Sequence, residues 1–342
     1  MSAPANPLIN RQIRLKSRPT GIPQAEHFEL TQEDVPALEP GQILVRNVFL
    51  SVEPAMRGWV GAAANYAEPV ALGAVMRSFA AGRVEASRDP AVPVGTKVTG
   101  LFGWQDYAVI EAAAIERLVE EDDLPLSTAL GVMGINGVTA HYGLLELGQP
   151  RSGETVVVST AAGSVGSCVG QIAKIRGCRT VGIAGGEVKR ALCVERFGFD
   201  AAVDYKAGDF PEQLAAACAG GVDVYFDNTA GAISDAVMAR LNVGARVVIC
   251  GTASVASWSP TPQGPRVERH LLVKRARMQG FVIFDHADHH PAARRDLAQW
   301  LREGRLTYLE DVLDGIEHAP DAIAGLYRGE NLGKRLIRIG AS

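Results

Sequence analysis

No cysteine occurs before Cys168, and the five present (Cys168, Cys178, Cys193, Cys218 and Cys250) are an odd number with no two at C-x-x-C spacing. This pattern gives no basis for a disulfide framework or a cysteine-built zinc site, and predicts reduced thiols in the core. An apolar run long enough to cross a bilayer is lacking as well, and the early stretch holding Asn10, Arg11, Gln12, Arg14 and Lys16 has no apolar signal core. The expected compartment is therefore the cytoplasm. Charge of one sign is not in excess either: 34 basic against 38 acidic side chains leave a net charge of −4. No global field recruits nucleic acid or an anionic membrane, so any phosphate has to be bound by local basic residues.

The one metal-like grouping is His286-x-Asp288-His289-His290. Pro291 follows at once and opens a helical pattern through Leu297 and Leu301, which makes the cluster a solvated helix entry instead of a ligand set. No internal repeat or low-complexity segment is present.

The 342 residues are 47% hydrophobic and 21% charged, the balance of a soluble globular chain long enough for two cores. Residues 1–125 read as short strands and turns: Ile43–Leu50 is a strand, Pro93, Gly95 and Gly100 are punctuation, and a further strand ends near Ile110. Residues 126–309 alternate strands with helices, the strands falling at Thr155–Ser159, Thr180–Ala184, Ala201–Val203, Val222–Phe226 and Ala245–Gly251. Such alternation argues for a doubly wound parallel sheet. Residues 310–342, ending in the strand-like Arg335–Ile339, are too few for a core of their own. They are expected to complete the N-terminal β domain and to leave a cleft between the domains.

The most informative junction is Thr155–Gly166, where a β-branched run enters a glycine turn and then a helix with Val165, Cys168, Val169 and Ile172 on one face. Ala161-x-Gly163-Ser164-Val165-Gly166 is a dinucleotide-binding pattern with alanine in place of the first glycine. Gly163 admits a pyrophosphate to the backbone, Gly166 lets helix and strand pack closely, and the helix N-terminus offers free N–H groups. The second strand runs into Gly185-Gly186-Glu187-Val188-Lys189-Arg190, with no acid at its end. Lys189 and Arg190 thus favour the 2′-phosphate of NADP(H), and Glu187 as a ribose ligand is the alternative.

The runs Asn10–Gly21, Ser51-Val-Glu-Pro-Ala-Met-Arg57, Ala161–Ser167, Tyr225-Phe-Asp-Asn228, Met278-Gln-Gly-Phe281 and Gly329-Glu-Asn-Leu-Gly-Lys334 occur in order along the whole chain. Together they resemble the zinc-independent medium-chain dehydrogenase/reductases, in the branch of alkenal double-bond, prostaglandin and curcumin reductases. The resemblance implies a GroES-like mostly-β catalytic domain (1–125, completed by 310–342), a Rossmann domain (126–309), NADP(H), no zinc and a homodimer. It also implies a small-molecule enone as partner.

Position by position, Lys189 resembles the family's 2′-phosphate lysine and Tyr205 its adenosine-side tyrosine. Asn228 and Asn331 resemble cofactor-contacting asparagines, Phe281, Val282 and Ile283 the nicotinamide border, and Gly251 joins this cofactor set. Asn228 as a turn residue and Tyr205 as a packing residue are the plain alternatives. Where the family often has tyrosine in S-V-D-P-Y-M-R and C-G-x-I-S-x-Y, this chain has Ala55 and Ala256, which predicts a wider, less polar substrate pocket. Tyr66 is left as the candidate to hold the substrate oxygen. The reaction so implied is NADPH-dependent reduction of a conjugated C=C bond; quinone reduction, or NADPH binding without turnover, are the rival readings.

Overall fold

The computed structural model describes residues 8–62, 66–255 and 260–340, and the chain divides into two compact units. The first holds residues 1–130, 310–331 and 335–342; the second holds 131–309 and 332–334.

In the first unit a sheet is built around the ten-residue strand Gln42–Ser51, in which every residue but Gln42 and Arg46 is buried. Ala80–Ser87, Tyr107–Glu111 and Lys334–Arg338 all pair with it antiparallel, the last through Leu336, Ile337 and Arg338. Several motif residues near the N-terminus are structural. Asn10 imitates a strand partner, its Nδ2 donating to the Tyr107 carbonyl at 2.9 Å while its Oδ1 accepts from the Tyr107 N–H at 2.9 Å. Arg11 forks onto Asp106 at 2.8 and 3.1 Å, a bidentate geometry that fixes both strand and loop.

The second unit is a six-stranded parallel sheet. Its spatial order is Ala201–Asp204, Arg179–Ala184, Thr155–Ser159, Val222–Asp227, Leu241–Ile249 and Arg277–Gly280, which is 3-2-1-4-5-6 in chain order. All five residues of Thr155–Ser159 are buried, as a central strand covered on both faces requires. Each of its three valines contributes roughly 1.5–3 kcal/mol by leaving water. Val157, Val181, Ile183, Val203, Leu214, Val222, Val237, Leu241 and Val247 form the core around it. The polar sixth strand, Arg277–Gly280, carries no β-branched residue and was not among the strands expected; it forms because Leu241–Ile249 offers it a parallel partner through four residues.

The helix expected after Pro291 is His290–Arg302, but its entry is not simply solvated. His290 is buried with its Nε2 3.2 Å from the Ile283 carbonyl, and His286 stacks on Tyr142 with ring centroids 4.2 Å apart. Tertiary packing has drawn these rings inward. Among the described residues no group of three or more His, Cys, Asp or Glu is arranged to hold a metal ion, and no helix is long and apolar enough to cross a membrane.

Candidate active site

The strand order reverses direction between the first and fourth strands, Thr155–Ser159 and Val222–Asp227. Crevices at such switch points, beyond the C-terminal ends of the strands, are where doubly wound sheets take dinucleotides. Several candidate cofactor residues of the second unit follow the ends of these strands, at the rim of the sheet.

At the first strand's end Thr160 takes a positive φ of 55°, Ala161 and Ala162 are buried, and Gly163 caps the twelve-residue helix Ser164–Ile175. Gly163 has no side chain to cover that helix end, where N–H groups of the first turn can meet an anion. A Cβ on Gly166 would fall 2.2 Å from the Thr160 carbonyl oxygen and 2.8 Å from its carbon, both backbone atoms. Only glycine permits this approach of helix to strand. Gly163 is less confined: its added Cβ would meet Thr160 at 3.1 Å. Gly333, near the far end of the chain, bridges Gly163 and donates its N–H to the Ala162 carbonyl at 3.1 Å. Asn331 immediately precedes this Leu332–Lys334 segment.

The second strand ends at Ala184, and Gly186, with φ 84°, caps the short helix Glu187–Ala191 that carries Lys189 and Arg190. Asp204 at the third strand's end accepts the N–H groups of Gly186 and Lys206, both at 2.9 Å. Its carboxyl is held below the usual range: burial opposes ionisation, but those two N–H bonds and the charges of Arg190 and Lys206 outweigh it. The ring of Tyr205 lies over Gly185, its Cε1 2.8 Å from where a Cβ would stand. Arg190 is engaged locally, with Nη1 2.9 Å from Glu187 and Nε donating to the Ala202 carbonyl at 3.2 Å.

The rim continues across the fourth to sixth strands. Asn228 donates from its backbone N–H to Ser159 Oγ at 2.8 Å and from Nδ2 to the Ser159 carbonyl at 2.7 Å, lacing the fourth strand's end to the first. The Gly251 N–H donates to the Asp227 carbonyl at 3.1 Å. Phe281 follows the sixth strand with its ring 5.7 Å from that of Tyr142, Val282 is half-buried beside it, and Ile283 is buried. Sequence reading did not single out Ser159, Thr160, Asp227 or Ala230, though the structure makes them the joints of this rim; an aspartate ending an apolar strand was the available signal.

In the first unit, Ala55 is half-buried at the start of the helix Met56–Val60, and Tyr66 is 52% exposed. Ala256 lies outside the described residues. A second phenol, which sequence reading missed, belongs with this set: Tyr327 donates to the Pro54 carbonyl at 2.8 Å, beside Ala55, and the Arg57 guanidinium sits 4.7 Å from its ring centre. Burial pushes the Tyr327 hydroxyl up to about 12, Arg57 works against the rise and Tyr66 adds to it. The phenol stays protonated, a donor at neutral pH.

All five thiols are free. Burial pushes Cys168, Cys193 and Cys250 up to about 12, and Cys178 and Cys218 to about 11. None is activated as a nucleophile.

Two family models match, one described as the N-terminal domain of oxidoreductase over residues 11–118 and one as zinc-binding dehydrogenase over residues 164–301. The NADPH-dependent curcumin reductase of Escherichia coli (strain K12) is 42% identical over 337 residues, covering 96% of this chain and 97% of its own. Prostaglandin reductase 1 of Sus scrofa is 39% identical over 328 residues, covering 95% and 97%. The crystal structure of CurA in complex with NADPH from Vibrio vulnificus superposes with a TM-score of 0.92 at 45% identity, covering 97% of this chain and 100% of that one. The chain belongs to the zinc-independent medium-chain dehydrogenase/reductases, in the branch of the curcumin, prostaglandin and 2-alkenal reductases.

Proposed function

We propose that this protein is an NADPH-dependent oxidoreductase that reduces the C=C bond of α,β-unsaturated aldehydes and ketones, adding hydride at the β-carbon. The observation that carries the reading is the glycine turn at the switch point, where Gly163 caps a twelve-residue helix with no side chain over its N-terminus and Gly166 seats that helix against the Thr160 carbonyl. The cradle fits a pyrophosphate, since Gly163 puts no side chain over the helix N-terminus and a Cβ at Gly166 would force the helix off Thr160. Whole-length similarity to relatives named as curcumin, prostaglandin and 2-alkenal reductases supports the substrate class.

Bound in this cradle, NADPH supplies the reducing equivalent. Val165 and Gly166 would offer backbone N–H groups to the pyrophosphate with the helix dipole behind them, and Ala161, Gly163 and Ser164 would line the turn beside it, the Ala161 and Gly163 N–H groups being committed to the Ile183 and Thr160 carbonyls. Lys189 and Tyr205 receive the adenosine end, with Arg190 as neighbour; Asn228, Gly251, Phe281, Val282, Ile283 and Asn331 receive the nicotinamide end. Tyr66 holds the substrate oxygen, where a hydrogen bond strengthens as negative charge develops on the enolate. With alanine at 55 and 256 where the family often has tyrosine, the sequence favours a wide pocket, and the enolate's α-carbon takes its proton from solvent or a nearby hydroxyl.

The test is turnover of a panel of enones, quinones and isolated alkenes with 4-deuterated NADPH. Enones should yield saturated carbonyls labelled at the β-carbon, and isolated alkenes should not react. Label on the carbonyl carbon would overturn the reading in favour of an alcohol dehydrogenase; turnover of quinones alone would make the protein a quinone reductase.

A further inference from the structure

Asp227 ends the fourth strand and is only 1% exposed. Five donors converge on its Oδ1: the Thr229 N–H at 2.8 Å, the Ala230 N–H and the Tyr225 hydroxyl at 2.9 Å, the Thr229 hydroxyl at 3.1 Å and the Ser159 hydroxyl at 3.3 Å. Its buried Oδ2 has no hydrogen-bond partner among the described residues. Its main-chain carbonyl in turn accepts the N–H groups of Cys250 at 2.8 Å and Gly251 at 3.1 Å. One residue therefore ties together the C-terminal ends of the first, fourth and fifth strands.

The turn it holds is strained. Ala230 has φ 58° and ψ −163°, a region that a residue with a Cβ seldom enters and that persists only where the surroundings over-determine it. The carboxylate supplies that constraint through the Ala230 N–H, and Ser254 closes the loop from outside, its Oγ 2.7 Å from the Thr229 carbonyl and 2.9 Å from that of Ala230. Ser159 is the shared joint, donating to Asp227 while accepting the Asn228 N–H. Tyr225 is wholly buried; desolvation, and next the nearby Asp227 charge, drive its hydroxyl well above the usual tyrosine range, so it remains a proton donor to the carboxylate.

We infer that Asp227 is the positioning residue for the nicotinamide half of the cofactor site. It acts through Asn228 and Gly251, which it sets at the rim, and leaves untouched the adenosine half around Lys189 and Tyr205 on the second and third strands. The inference rests on the dinucleotide reading proposed above. A dinucleotide crosses the switch point, with its two halves over opposite sides of the sheet. Loosening the fourth strand's end should accordingly be felt by one half only.

The experiment is equilibrium titration of the full chain with NADPH and with 2′,5′-ADP, which carries the adenosine half alone. Asp227→Asn removes the charge that draws in the five donors, and Ser159→Ala is a milder companion that removes one of those donors together with the acceptor of the Asn228 N–H. Both variants are expected to weaken NADPH about tenfold or more while 2′,5′-ADP changes less than about twofold. Saturating-cofactor kcat should fall in parallel. Equal weakening of both ligands, or no change in either, would overturn the positioning role; should Asp227→Asn fail to fold, the same outcomes are read from Ser159→Ala. Failure of the native protein to bind either nucleotide would instead overturn the dinucleotide reading, and this inference with it.

Discussion

Arg190 is paired with Glu187 at 2.9 Å, three residues away on the same short helix, and its Nε is committed to the Ala202 carbonyl. Glu187 is the alternative ribose ligand, and Arg190 stands beside Lys189 as the candidate for the 2′-phosphate. Arg190 is thereby engaged within its own helix, and the proposed NADPH selectivity is tested at Lys189. A charge-assisted contact contributes about 1.5–3 kcal/mol, so Lys189→Ala should raise the NADPH dissociation constant roughly 10- to 100-fold and hardly affect NADH. Arg190→Ala should have a markedly smaller effect. Fluorescence titration with both cofactors checks this; equal losses for NADPH and NADH would show that Lys189 serves the fold and not the phosphate.

The two glycines of the turn should separate stability from binding. In Gly166→Ala the new Cβ would stand 2.2 Å from a backbone oxygen, which cannot swing aside as a side-chain tip can. The helix must shift, at a cost of about 1–3 kcal/mol by the usual scale of overpacking. Gly163→Ala meets Thr160 only at 3.1 Å and keeps an ordinary φ of −84°, so stability should change little while NADPH binding weakens. Urea unfolding and cofactor titration on the two variants check the contrast. Equal destabilisation would show that the turn gives way as a unit.

What could be read from the sequence, and what could not, follows the range of the interactions. The strand Thr155–Ser159 and the helix after it announce themselves by local signals, namely a β-branched run, two glycines and a 3.6-residue apolar repeat. The doubly wound class follows from alternation of such units. The Asp227 hub has no local signature, because Ser159 reaches it across 68 residues and the pattern of an apolar strand does not say which donors its last residue will meet. His290 failed as a solvated helix entry for the same reason: its partner is the Ile283 carbonyl, supplied by the fold around a kink at His286. Tyr327 is set beside Ala55 by a bond spanning 273 residues, beyond any periodicity argument.

The purified protein should contain substoichiometric zinc and keep its activity in a strong chelator. The first half of the chain has no cysteine to supply thiolate ligands, and the five cysteines elsewhere occur singly. Elemental analysis showing one zinc per chain would refute this.

The thiols give a pH-dependent test with a definite sign. A thiolate, not a thiol, attacks electrophiles, and raising a thiol's pKa lowers the thiolate fraction at any pH below it. With Cys178 and Cys218 at about 11 and the other three at about 12, the native protein at pH 7–8 holds almost no thiolate, and four of the five side chains are buried besides. This matters for a protein proposed to handle conjugated aldehydes and ketones, which are themselves acceptors for thiolate addition. Iodoacetamide or a short enone without NADPH should therefore leave activity intact at pH 7–8, and adduct formation should be slow by intact mass. Reaction should rise as pH approaches 11, where Cys178 and Cys218 begin to ionise. In denaturant all five should react at ordinary rates near pH 8.5, since unfolding returns each thiol to water. Rapid stoichiometric labelling of the native protein at pH 7 would mean that one cysteine is exposed and activated, and Cys250, the one of the five that is not fully buried, would be the first site to map.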